Sequence, residues 1–309
     1  MTTVSVTGLT KDYSLREGLR RKPLRAVDRV SFDLLPRRTV ALVGESGSGK
    51  STIAKLLARL EKPSAGSIDV RLDDGTPVVG SVYQRQVQMV FQDPFASLNP
   101  FHSVGHHVAR PLLLHQRTRG AAQTHQRVLE MLERVNLGPA EVVAARRPHE
   151  LSGGQRQRVA IARALAPGAK VLVADEPVSM LDVSIRLGVL NLLARLQREE
   201  DLAVLYITHD LATARHFSDE ILVLYRGRVV ERGPADAVIL DPHHDYTRLL
   251  AQAAPDPERP GKVVATEAVA DRAGIDNSVC YDHHRQEWIR IDSVPAPARG
   301  SHPVPTARP

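Results

Sequence analysis

The chain predicts an α/β fold, and three observations carry the assignment. Short apolar runs at Val40–Val43, Val171–Ala174 and Ala203–Ile207 have the length of buried strands rather than of helices. The first two are followed by helical sequence, at Thr52 to Leu60 and Val183 to Gln197. The first run also passes directly into Gly44-Glu45-Ser46-Gly47-Ser48-Gly49-Lys50-Ser51, the spacing G-x-x-x-x-G-K-S.

Length and composition narrow the class. With 309 residues, 42% of them hydrophobic, the chain can build one large or two modest domains around a real core. A net charge of +6 is modest for this length and decides no partner. The single cysteine, Cys280, excludes an internal disulfide framework and a four-thiolate zinc site. Met1 to Leu9 has no charged region followed by an apolar block, and nowhere do 18 apolar residues run together. A cytosolic chain is expected, with any membrane role requiring other subunits.

From the N-terminus, Val4-Ser5-Val6 alternates as an edge strand would, and the basic stretch Leu15 to Arg29 reads as a solvated loop. Val30 to Leu34 is a strand, and Pro36-Arg37-Arg38 turns into the strand before the glycine-rich loop. In that loop, glycines let the backbone curl so that its N–H groups point at phosphate oxygens, and the following helix adds its positive end. Lys50 is placed to reach the β- and γ-phosphates, and the Ser51 hydroxyl to join the shell of a bridging Mg²⁺. Gly66 to Val70 begins another strand. Val87 to Phe91 is a strand ending at Gln92, where an open α/β sheet binds ligands, which makes Gln92 a candidate for ordering Mg²⁺ or the attacking water. Between Asp93 and Glu150 the strand pattern stops. Gly105 to Gln116 and Ala121 to Leu137 read as helices, the second with Val128, Leu132 and Val135 on one face and Gly138-Pro139 closing it.

Leu151-Ser152-Gly153-Gly154-Gln155 then opens a helix. A serine and two glycines at a helix start offer a hydroxyl and unobstructed N–H groups to an anion. One γ-phosphate hardly needs two cradles from one chain, whereas two chains facing head to tail would use both. The strand Val171–Ala174 delivers Asp175, suited to the Mg²⁺ shell, and Glu176, suited to a general base. Ala203–Ile207 delivers Thr208 and His209 to the same sheet edge, within reach of the γ-phosphate. Ile221 to Glu231 reads as a hairpin, and Asp245 to Leu250 turns into a last helix. His243-His244 lacks the neighbouring ligands of a metal site. From Pro255 onward the chain is proline-rich, holding eight of its 21 prolines, and reads as an extended or partly disordered tail.

Taken together, in this order and over about residues 4 to 250, these motifs resemble the ATP-binding subunit of an ABC transporter. Gly44 to Ser51 matches Walker A, Gln92 the Q-loop, Leu151 to Gln155 the ABC signature, Val171 to Asp175 Walker B, Glu176 the catalytic glutamate, Ser179 to Asp182 the D-loop and His209 the switch histidine. Finer features are similar to the dipeptide, oligopeptide and nickel importer group. Among them are Val43 to Thr52, Phe91-Gln92-Asp93-Pro94 continuing to Pro100, Pro148-His149-Glu150 before the signature, and Tyr246-Thr247-Arg248-Leu249-Leu250. Asp245, Val178 and Met180 depart from the group's usual residues.

The resemblance implies a P-loop NTPase of the ABC ATPase type: a mixed sheet core, an antiparallel β subdomain and a helical insertion over about residues 96 to 156. It implies an ATP-binding domain at 1–254 and a tail at 255–309. ATP would lie against Tyr13, which matches the adenine-stacking aromatic, and against Gly44, Glu45, Ser46, Gly47, Ser48, Gly49, Lys50, Ser51 and Thr52. A second subunit would close the site with Ser152, Gly153, Gly154, Gln155 and Asp182. Mg²⁺ would meet Ser51, Gln92 and Asp175, and hydrolysis would use Glu176, His209 and Gln92. Implied partners are a second ABC ATPase subunit, two transmembrane permeases and, indirectly, an extracytoplasmic solute-binding protein, with no nucleic acid and a peripheral place on the cytoplasmic face of the membrane. Peptides lead among the implied solutes. Alternatives are a soluble ABC ATPase of nucleic-acid metabolism, which would carry a long coiled coil, zinc modules or tandem cassettes, and an ABC exporter ATPase or a regulatory subunit, with the intact Glu176 and His209 opposing an inactive site. Some members of the group hold an iron–sulfur cluster on four tail cysteines. Cys280 alone, even beside His283 and His284, cannot supply such a set, so no cluster is expected.

Overall fold

The computed structural model describes residues 2–17, 20–253, 278–282 and 287–290. β1 (Thr2–Glu17) and β2 (Arg20–Leu34) form a long antiparallel hairpin. β3 (Thr39–Val43) and α1 (Lys50–Leu57) follow in the second, larger sheet, and β4 (Ala65–Leu72) returns to pair antiparallel with the other side of β1. The small sheet therefore runs β2-β1-β4, with Val4-Ser5-Val6 in its central strand rather than at an edge. The basic stretch expected to be a loop instead continues the two strands, with Lys11 opposite Val27 and Tyr13 opposite Leu24. Both faces of such a hairpin can carry charge where no core lies beneath it.

The large sheet resumes beyond α2 (Gly80–Gln86), with β5 (Val87–Val90) at one edge. The helical insertion then runs through α3 (Pro94–Ser97), α4 (Val104–Leu114), α5 (Ala121–Arg134), α6 (Ala140–Ala145), a 3₁₀ turn at Pro148–Glu150 and α7 (Gly153–Leu165). As the spacing predicts, Val128, Leu132 and Val135 are buried together. The closure of α5 differs: it stops at Arg134, with Asn136 at φ 57° and the Leu137 N–H returning to Leu132 O. An asparagine tolerates the left-handed conformation that ends a helix, so the stop precedes Gly138-Pro139.

β6 (Val171–Asp175), α8 (Val183–Glu199), β7 (Ala203–Thr208), α9 (Leu211–Phe217), β8 (Glu220–Tyr225) and β9 (Arg228–Pro234) complete the core, followed by α10 (Ala235–Leu240) and α11 (Asp245–Ala253). Two tail segments, β10 (Val279–Asp282) and β11 (Glu287–Arg290), extend this sheet, whose order is β11-β10-β9-β8-β3-β7-β6-β5. The rest of the tail, including His283 and His284, lies outside the described residues. β3, β5, β6, β7 and β8 run parallel, and the expected β8–β9 hairpin and β10–β11 supply the antiparallel pairs.

Alternate residues of each parallel strand enter opposite cores, as the two-residue period requires. Ala41, Val43, Leu172, Ala174, Val204 and Tyr206 face the cluster that holds α7, α8 and the helical insertion. Val40, Leu42, Val171, Val173, Leu205 and Ile207 face the cluster shared with α1 and the small sheet. Both faces are covered, which is why these strands read as unbroken apolar runs.

The two sheets are stitched at Asp28. Its N–H donates to Gly227 O in the β8–β9 turn, and its side chain, 5% exposed, accepts from Arg228 Nε at 2.6 Å and Arg25 Nη1 at 3.3 Å. Asp28→Ala should lower stability by about 1–3 kcal/mol, because two guanidinium groups lose a largely buried partner. The same change at Asp69, whose pair with Arg71 is exposed, should cost far less. Urea unfolding midpoints of the two variants compare them directly.

Candidate active site

Four parallel strands end on one edge of the large sheet, and each delivers a polar group there. Val43 of β3 lies in register with Thr208 of β7, and Asp175 of β6 with Ile207. Beyond β3 the backbone curls through Gly44–Gly49 into α1. Gly49 has φ 108°, and a Cβ there would stand 2.3 Å from Ala26 O, so only glycine fits. Among the described residues the α1 start has no side-chain cap and the buried Ser48 hydroxyl no hydrogen-bond partner. Uncapped helix N–H groups and an unsatisfied buried hydroxyl are what a phosphate would complete, so the residues fit a nucleotide.

The loop keeps its curl through other bonds. Lys50, 4% exposed, donates from Nζ to Gly44 O at 2.6 Å and Glu45 O at 2.7 Å. Gly227 N–H donates to Ser48 O at 2.9 Å, and Glu45 N–H to the Tyr246 hydroxyl at 3.0 Å. Burial pushes the Lys50 amine pKa down, while the carboxylates of Glu176, Asp175 and Glu45 act in the opposite direction.

The acidic residues lie opposite. Burial pushes the Asp175 carboxyl pKa up, with Glu176 adding to the shift and the Ser51 hydrogen bond and Lys50 opposing it. Ser51 Oγ and Asp175 Oδ1 stand 3.3 Å apart, a hydroxyl and a carboxylate facing each other as oxygen ligands of a hard cation would. Glu176 adopts φ 45°, uncommon for a residue other than glycine, and its N–H donates to Ile207 O. Its Oε2 accepts from Gln92 Nε2 at 2.9 Å and lies 3.3 Å from His209 Nδ1. The structure thus brings Gln92, Glu176 and His209 into one cluster beside the loop.

Tyr13 comes from the small sheet. Its hydroxyl donates to Glu61 Oε2 at 2.5 Å, its ring lies 5.0 Å from Lys11 Nζ, and it is within hydrogen-bonding reach of the Thr52 side chain. Burial, with the Glu61 hydrogen bond, pushes its pKa up. The ring is therefore held beside the start of α1.

The Ser152 group forms a different cluster. The exposed Ser152 caps α7 by accepting from Gln155 N–H, and Gln155 Oε1 accepts from Ser152 N–H in return. A Cβ on Gly154 would stand 2.5 Å from Ile185 Cγ2, so α7 packs tightly on the start of α8. Asp182 precedes α8 without capping it through its side chain, and Met180, Val183 and Leu187 are exposed on the same segment. Val178, unusual at its position, is buried in the core. His243 and His244 have structural partners: His243 stacks on Trp288 at 4.6 Å, and His244 Nδ1 accepts from Tyr246 N–H.

Three contacts on the loop were not anticipated: those of Gly227, Tyr246 and the Lys50 amine with the loop's own backbone. Tyr246 stood within a motif of the resemblance, but no local pattern reveals a partner 201 residues away.

The ABC transporter family profile matches residues 27–179. Over 276 residues the chain is 45% identical to the glutathione import ATP-binding protein GsiA of Salmonella typhimurium, covering 86% of this chain and 44% of that protein. It is 44% identical over 271 residues to the di/tripeptide transport ATP-binding protein DppF of Pseudomonas aeruginosa, covering 84% of this chain and 82% of that one. The chain thus spans less than half the length of the glutathione import proteins it matches. Among solved structures, the dimeric post-hydrolysis state of the cassette MJ0796 bound to ADP and Pi superimposes with a TM-score of 0.63 at 32% identity, over 75% of this chain and 98% of that one. The cbiO1 subunit of Clostridium perfringens gives 0.64 at 28% identity, over 77% of this chain and 90% of that one.

Gly49→Ala and Gly47→Ala should separate steric from torsional cost. Gly47 has φ 82° but open space around it, so its alanine should lose about 1–2 kcal/mol of stability. At Gly49 the added methyl also collides with Ala26 O, and the loss should be larger, read as thermal unfolding of the nucleotide-free protein.

Proposed function

Since this chain belongs to the ABC transporter family of ATP-binding proteins, we propose that it hydrolyses ATP to energise import of a peptide-like small solute through partner permeases. The observation that carries the reading is the single sheet edge where a phosphate-shaped loop, the Ser51–Asp175 pair and a Glu176 held by Gln92 and His209 meet. The relatives named for glutathione and di/tripeptide transport supply the solute class. Two permeases, a second ATPase subunit and an extracytoplasmic binding protein complete the proposed assembly. Among the described residues no helix is long and apolar enough to cross a membrane, which fits a peripheral subunit at the cytoplasmic face.

In the proposed reaction, Lys50 and the loop N–H groups hold the β- and γ-phosphates, and Tyr13 stacks on the adenine. Ser51, Asp175 and Gln92 would hold Mg²⁺, which supplies charge neutralisation across the phosphates. Glu176 accepts the proton of the attacking water through Oε1, since Oε2 is engaged by Gln92 and His209. The water oxygen bonds to the γ-phosphorus, the bond to the β-phosphate oxygen breaks, and ADP and phosphate result. His209 touches both the base and, in this reading, the γ-phosphate.

A second subunit is proposed to supply Ser152, Gly153, Gly154, Gln155 and Asp182 to the same nucleotide. The exposure of Ser152, Met180, Val183 and Leu187 supports that reading, because this face is apolar and open beside a helix N-terminus. Residues 1–254 form the proposed ATPase domain.

Glu176→Gln should retain ATP affinity and reduce turnover by about 10²- to 10⁴-fold, since it removes the base and leaves the loop intact. Phosphate release by the subunit assembled with its partners measures this, and near-normal turnover would remove Glu176 from the role. Ser152→Ala should cost about 1 kcal/mol of stability through the lost cap. It should spare ATP binding to the isolated chain and depress hydrolysis only in the assembled dimer. Equal loss of monomer ATP binding in Ser152→Ala and Lys50→Ala would refute a site shared between subunits.

A further inference from the structure

We propose that Tyr246 is a positioning residue for ATP, acting through the Gly44–Glu45 peptide at the start of the phosphate loop. The phenol is fully buried, and its hydroxyl accepts the Glu45 N–H at 3.0 Å. Its ring packs 4.5 Å from that of Tyr225, the last residue of β8, which pairs directly with β3 below the loop. Burial pushes the Tyr246 pKa up to about 12, so the group stays a neutral phenol through the physiological range.

The element that carries Tyr246 is anchored from the opposite side. Glu231 of β9, fully buried, accepts the His243 N–H at 2.8 Å and the His244 N–H at 3.1 Å. His244 Nδ1 then accepts the Tyr246 N–H at 3.1 Å. A continuous run of buried and partly buried bonds therefore leads from β9 through the start of α11 to the loop. Such bonds are costly to leave unmade, which makes the run stiff.

The Gly44–Glu45 peptide is gripped on both sides, its N–H by Tyr246 and its carbonyl, Gly44 O, by Lys50. In the ATPase reading, on which this inference rests, Lys50 turns to the phosphates. It then releases that carbonyl, and Tyr246 keeps the peptide oriented. The hydroxyl touches none of the reacting atoms. Its loss should appear in nucleotide affinity and leave the chemical step alone.

Tyr246→Phe keeps the ring and removes the acceptor. In the full chain, the Kd for ATP should rise about tenfold, and in the assembled complex KM should rise with it while kcat stays within about twofold. Amide hydrogen exchange at Glu45 in the nucleotide-free protein should accelerate. Arg248→Ala, which removes exposed bonds from Arg248 to Pro242 O and Asp245, should lower thermal stability without changing ATP affinity or Glu45 exchange. ATP binding by the unmodified chain with an unchanged Kd in Tyr246→Phe would overturn this inference alone. Failure of the unmodified chain to bind ATP would overturn the ATPase reading and this inference with it. Exchange at Glu45 in the unmodified protein also tests the bond without any variant, since a fast-exchanging amide there would overturn it.

Discussion

A backbone that turns its N–H groups inward must find other partners for its carbonyls, and here Lys50 supplies them. Its buried amine bridges Gly44 O and Glu45 O, closing the loop on itself. The sheet edge depends on that closure. Gly49 can approach Ala26 only because the loop is this tight, and Ala26 in turn adjoins the hairpin turn whose Gly227 N–H holds Ser48 O. Asp28 then ties the small sheet to the same turn. The backbone of the cradle is thus preformed, and in the proposed reaction only the Lys50 amine must turn to meet a phosphate.

Burying an ammonium group is costly unless negative charge lies nearby, and the three carboxylates around Lys50 meet that need. The arrangement is balanced rather than relaxed, since burial works against the charge of Asp175 as well. Two adjacent acids at one strand end are also placed in different surroundings by geometry. Asp175 continues β6 and is buried beneath Ser51, whereas Glu176 leaves the strand at φ 45° and turns toward Gln92 and His209. In the proposed reaction that one backbone kink separates a cation ligand from a base.

The parts of the fold that were legible in the sequence are those governed by local rules. Val40–Val43, Val171–Ala174 and Ala203–Ile207 are covered on both faces, so continuous apolar runs and their strand-end residues point to the candidate site. The position of β1 was not legible. An alternating strand looks the same at a sheet edge as in its centre, and the neighbour that makes β1 central, β4, begins at Ala65. The basic hairpin was misread as a loop because charge describes exposure, not backbone conformation. α5 stops three residues before the expected Leu137 because Asn136 takes the left-handed turn without glycine. Tyr246 was visible as part of a motif, but its hydrogen bond depends on tertiary placement alone.

The division of the candidate site between two clusters has a physical reason within this chain. Ser152 uses its hydroxyl to cap α7, and Gly154 is glycine because Ile185 leaves no room for a side chain. Those constraints fix the α7 N-terminus on the α8 side of the molecule, beside exposed Met180, Val183 and Leu187. The loop around Lys50 is fixed just as firmly by β3, Gly227 and Tyr246. In the proposed reading, a second copy or a homologous subunit brings the start of its α7 to the nucleotide held by this loop. In that proposed arrangement the exposed apolar segment is covered by the same association that completes the phosphate site, so binding energy and catalytic competence arise from one contact.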